Sequence, residues 1–108
     1  MHPKFIIVSA PDQPMVGTFV YGLAYQHKDL LRDYVGRHGY VKTHGGGWYH
    51  KDADRKKMCL YGSSGDYGAP QLCFLDRIPS DLKGYTFTYM DDGGAEEREL
   101  DLTQVEWI

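Results

Sequence analysis

The segment from Gly45 to Gly68 constrains this chain most. It opens with Gly45-Gly46-Gly47-Trp48-Tyr49-His50, passes through the charged run Lys51 to Lys57, and closes with Met58-Cys59-Leu60-Tyr61-Gly62-Ser63-Ser64-Gly65-Asp66-Tyr67-Gly68. Six of the thirteen glycines fall in these 24 residues, at the two ends of an expected hairpin. Glycine lets backbone turn tightly and approach a ligand closely. Successive amides in such a turn make a concave anion site that needs no charged side chain. The segment therefore predicts a pocket for phosphate built from main chain.

The rest of the chain fills in an α+β domain. Its 108 residues suit one domain with one core, 1–108. Phe5-Ile6-Ile7-Val8 reads as a central strand buried on both faces. Pro11-Asp12-Gln13-Pro14 breaks it, and Gly17 to Gly22 reads as a second strand. From about Tyr25 the period changes: His27, Leu30, Leu31, Tyr34, Val35 and His38 share one face of a helix that Gly39 ends. Tyr40 to Thr43 is a short strand. Trp48–Lys51 and Lys56–Tyr61 should pair through the turn Asp52-Ala53-Asp54-Arg55. Gln71 to Leu75 is another strand, and Pro79 to Lys83 gives at most a short helical turn. Tyr85 to Met90, the turn signal Asp92-Gly93-Gly94 and an acidic return strand from Arg98 to Trp107 complete the chain. The expectation is a mixed sheet of six to eight strands, one main helix and a short second helical turn.

Charge and cysteines narrow the function classes. The net charge of −3 is unevenly spread: residues 1–90 carry +3 and residues 91–108 carry −6. The acidic end repels a polynucleotide and no basic stripe offsets it, so no nucleic acid polymer is expected as partner. No apolar run reaches membrane-spanning length and no signal peptide is recognisable, which predicts no membrane partner and a cytoplasmic location. Cys59 and Cys73 lack metal-ligand spacing and read as two free, buried packing thiols. His44 and His50 are isolated from other ligands; no metal and no cofactor are expected.

Taken in order, the motifs resemble the phosphohistidine phosphatase (Janus/Ocnus) family. Gly45-Gly46-Gly47 is followed by Tyr61-Gly62, Ser64 and Tyr67-Gly68. Lys4-Phe5-Ile6-Ile7-Val8 resembles that family's first strand, and Val20-Tyr21-Gly22 its second. Ala24-Tyr25-Gln26-His27-Lys28-Asp29-Leu30 resembles the segment with the catalytic histidine. The similarity runs over roughly residues 3–93, leaving 96–108 as an extra C-terminal strand.

The resemblance implies His27 as general base, Lys4 as a phosphate-binding cation, and Ser63, Ser64, Gly65 and Asp66 as the phosphate loop. It implies hydrolysis of a phosphoramidate in a phosphorylated protein or small phosphorylated ligand. Three departures bear on this. Tyr21 and Trp48 stand where the family has arginines, and Asp66 replaces a small residue. Losing two guanidiniums and gaining a carboxylate disfavours a doubly charged phosphate. Aromatics at Tyr21 and Trp48 would instead stack on a planar group such as a nucleotide base. The alternative expectation is a non-catalytic protein of phage origin that sequesters a phosphorylated small molecule or nucleotide. A purely structural interaction module is the residual reading.

Overall fold

A computed structural model describes residues 1–91 and 96–108. Eight strands and one α-helix follow in the order β1 (His2–Ser9), β2 (Gly17–Ala24), α1 (His27–His38), β3 (Lys42–Asp52), β4 (Lys57–Tyr61), β5 (Leu75–Ile78), β6 (Thr86–Met90), β7 (Glu97–Glu99) and β8 (Glu106–Trp107). They form one mixed sheet in the order β7-β6-β4-β3-β1-β2-β5-β8. The architecture is α+β, with single 3-10 turns at Leu72–Phe74 and Ser80–Leu82 beside the main helix. The turn signal Asp92-Gly93-Gly94 lies outside the described residues. Among the described residues no helix is long and apolar enough to cross a membrane.

The apolar run of β1 lies inside the sheet, paired with β2 and β3, and Phe5 to Val8 are buried on both faces. One face carries Phe5, Ile7, Phe19, Tyr49, Met58, Leu60, Phe87 and Tyr89, the main core. Leu82, Tyr85, Leu100, Leu102, Val105 and Trp107 cover it. Helix α1 lies on the other face, against β1 and β2. Gly22 faces it: a β-carbon there would make an ordinary contact, 3.5 Å, with Leu30 Cδ2. The helix starts where the Asp29 carboxylate accepts the Gln26 amide at 3.0 Å, and it ends at Gly39 with φ +88°.

The glycine triplet does not separate two strands, because β3 runs through it without interruption. Its reason is close approach. A β-carbon would stand 2.0 Å from Ala69 O at Gly45, 2.2 Å from Phe5 O at Gly46 and 2.6 Å from Tyr61 O at Gly47. No larger residue fits between β1, β4 and the 62–70 loop. The β1–β3 register slips between Ile6 and Val8, beside this triplet.

Three expectations need correction. Gln71–Leu75 is a 3-10 turn leading into β5, with Leu72 and Phe74 both packed against the core, which a two-residue alternation would also have shown. Arg98–Trp107 is not one strand. The Asp101 carboxylate accepts the Thr103 amide at 3.0 Å, and this local turn breaks extension. The chain then crosses the core face from β7 at one sheet edge to β8 at the other. The thiols are free but not both buried: Cys59 is half-buried and Cys73 exposed.

Candidate functional site

Pairing register aligns the site. Lys4 lies opposite Gly22 on one side and Trp48 on the other, and Trp48 lies opposite Tyr61. Directly paired residues share a face, so this row occupies the helix side of the sheet. The next row, Tyr21, Phe5 and Gly47, faces the core side. His27, first residue of α1, is set against the helix-side row by the two-residue link from β2.

The His27 ring is 3% exposed, and its Nε2 lies 2.7 Å from the Gly47 carbonyl oxygen. A carbonyl only accepts, so Nε2 carries the proton and Nδ1 of the neutral ring is bare. The ring stands edge-on to the Trp48 indole, with centroids 5.1 Å apart at 85°. Burial lowers the His27 pKa below the usual imidazole value; the Gly47 hydrogen bond opposes this, the Lys4 charge adds to it, and the Asp66 charge opposes it. The ring is held neutral near pH 7.

Lys4 is 7% exposed, and its Nζ sits 4.7 Å from the centre of the Trp48 ring. Among the described residues it has no carboxylate and no hydrogen-bond partner. Every fully buried side-chain nitrogen or oxygen among the described residues does have one. Lys4 Nζ and His27 Nδ1 therefore both keep contact with solvent. A lysine this enclosed is ordinarily paired; this one has only an aromatic face.

The 62–68 loop is organised differently from the expected cradle of free amides. The Ser64 amide is shared between Gly46 O at 2.9 Å and Gly68 O at 3.1 Å. Ser64 Oγ, buried, accepts the amides of Asp66 at 3.1 Å and Tyr67 at 3.0 Å. Of the Ser64, Gly65 and Asp66 amides, only that of Gly65 lacks a protein partner among the described residues. Ser63 is half-buried and takes no part in these bonds. The Asp66 carboxylate turns to the helix instead and accepts the Lys28 amide at 3.2 Å.

Tyr21 is not part of this site. Its ring packs edge-on to Tyr49, centroids 5.3 Å apart, and its hydroxyl donates to the Asp81 carboxylate. Burial, and then Asp81, raise its pKa, so the phenol stays protonated. Alternation decides the matter: Tyr21 shares parity with buried Phe19, while the site belongs to the opposite parity.

Two participants escaped sequence reasoning. The Gly47 carbonyl leaves no signature in residue types. Tyr61 stands beside Trp48, rings 6.5 Å apart and 23° from parallel; folding the hairpin about residues 53–56 would have paired them. His44 is structural: Ser9 Oγ donates to Val16 O, so His44 Nε2 donates to Ser9 Oγ at 2.8 Å and Pro14 O at 3.1 Å. Among the described residues no three His, Cys, Asp or Glu side chains are grouped to hold a metal.

Compared with family models, with curated proteins and with solved structures, the chain has no match in any of the three.

Proposed function

We propose that the chain is a phosphohistidine-phosphatase-like phosphohydrolase acting in the cytoplasm on a phosphorylated protein or small phosphorylated ligand. The observation that carries this reading is the enclosed, unpaired ammonium of Lys4 beside the neutral ring of His27. An enclosed cation without a carboxylate has an electrostatic deficit that an anion removes. A base with a bare nitrogen next to that anion is the arrangement hydrolysis requires.

In this reading Lys4 and the Gly65 amide bind phosphoryl oxygens. His27 Nδ1 takes a proton from a water molecule as its oxygen attacks phosphorus in line. The P–N bond breaks with its electron pair on nitrogen, which takes a proton from solvent, giving an amine and phosphate. Gly47 fixes the tautomer that leaves Nδ1 free for this work.

The test follows phosphoramidate turnover by phosphorus NMR. His27→Ala lowers the rate by about 10²–10⁴-fold, and Lys4→Met weakens binding without loss of thermal stability. Unchanged turnover in both variants overturns the reading.

Trp48 favours a second reading. Its indole lies against Lys4 and nearly parallel to Tyr61, a surface that suits a planar base beside a phosphate. A protein that binds a nucleotide without turnover would show a raised melting temperature with the nucleotide and no phosphoramidate hydrolysis.

A further inference from the structure

Within the anion-binding reading of the Lys4–His27 site, we infer that Asp66 is its charge selector: a built-in carboxylate that makes the site take singly charged phosphoryl groups in preference to doubly charged ones.

Two independent observations meet here. Lys4, nine-tenths buried, has no carboxylate among the described residues. Asp66, from the phosphate loop, places Oδ2 3.2 Å from the Lys28 amide, in the first turn of α1 next to His27. That amide is one of the donors which a helix N-terminus offers an incoming anion. Asp66 thus occupies an oxyanion position with an oxyanion of its own. The charges of Lys4 and Asp66 both reach the His27 ring, with opposite effects on its proton affinity, so the two groups act on one small region.

Among the described residues Lys4 is the cation and Asp66 the carboxylate whose charges act on the His27 ring, so the two offset each other there. A dianion gains one attraction and meets one repulsion, each counted twice. A phosphoryl group with one net negative charge meets half of each and costs much less to take out of water, so a site of offsetting charges favours it. If it also carries a protonated nitrogen or a P–OH, it gives Asp66 a hydrogen bond to accept. Phosphoramidates protonated on nitrogen meet both conditions, as do the protonated monoester and, on charge alone, the diester. Ser64 Oγ accepts the Asp66 amide at 3.1 Å and so anchors the residue that carries the carboxylate.

The experiment compares two probes of the same shape at about pH 8: methyl phosphate, doubly charged, and methyl sulfate, singly charged. Calorimetric titrations use the whole chain and two variants. Asp66→Asn keeps an acceptor for the Lys28 amide and removes the charge. The wild-type protein binds methyl sulfate at least as tightly as methyl phosphate. Asp66→Asn shifts the ratio toward methyl phosphate by about tenfold. Lys4→Met weakens both probes. If Asp66→Asn leaves the ratio unchanged while Lys4→Met still weakens both, Asp66 is a helix cap only and the inference is overturned. If Lys4→Met changes neither affinity, or neither probe binds, the anion site itself is refuted and the selector with it.

Discussion

The Gly47 carbonyl and the His27 imidazole join sheet to helix through one hydrogen bond of 2.7 Å. The acceptor is main chain of β3, so the bond ties the sheet to the first residue of α1. It decides which ring nitrogen carries the proton and leaves the other, Nδ1, open to solvent.

Gly47→Ala tests how tightly this junction is built. The new methyl would stand 2.6 Å from Tyr61 O, 2.9 Å from Gly62 O and 3.1 Å from Phe5 Cε1. Two of these neighbours are backbone and cannot turn aside. The expected cost is about 1–3 kcal/mol in urea unfolding, with His27 displaced from its acceptor. An unchanged midpoint would show that β4 yields freely and that the triplet is not a packing requirement.

Tyr21→Phe separates the two sheet faces. It removes the hydroxyl that Asp81 accepts and leaves the ring packed on Tyr49. Stability should fall by about 1 kcal/mol, whereas phosphate affinity should stay within error. A changed affinity would mean that Tyr21 reaches the helix side, contrary to the register Phe5↔Tyr21.

Much of this arrangement was legible in the residues. Four consecutive apolar side chains marked β1 as interior, and Gly39 marked the helix end, because each signal is local. Lys4, His27 and Trp48 lie together on the helix side of the sheet. What failed depended on register. Placing Tyr21 beside Trp48 ignored that Phe19, two residues earlier, is a core residue of the same parity. The loop amides were read as free because nothing in Gly62–Gly68 announces that Ser64 Oγ would turn inward and take two of them. The acidic tail looked like one strand until Asp101 turned it.

The pH dependence follows from the lowered His27 pKa. The unfolded chain titrates this group near the ordinary imidazole value of about 6.5, the folded protein lower, chiefly because the ring is buried. Above the unfolded value neither state binds the proton and the contribution to stability is full. As pH falls below it, the unfolded state binds the proton first, and stability is lost until the folded pKa is passed. The urea midpoint should therefore drop between about pH 7.5 and 5.5. His27→Gln, neutral throughout and still able to donate to Gly47, should flatten that part of the curve. Identical curves for both proteins would show that the ring is not held neutral by burial.

The central claim is a neutral imidazole, protonated on Nε2, facing an anion site made by an unpaired lysine. Nitrogen NMR of the isotope-labelled histidines, with phosphate titrated in at about pH 7.5, measures this directly. The account predicts that His27 shows a protonated Nε2 and a bare Nδ1, that phosphate moves the Nδ1 resonance, and that Lys4→Met abolishes the response. A proton on Nδ1, or a His27 signal indifferent to phosphate in the wild-type protein, would contradict it.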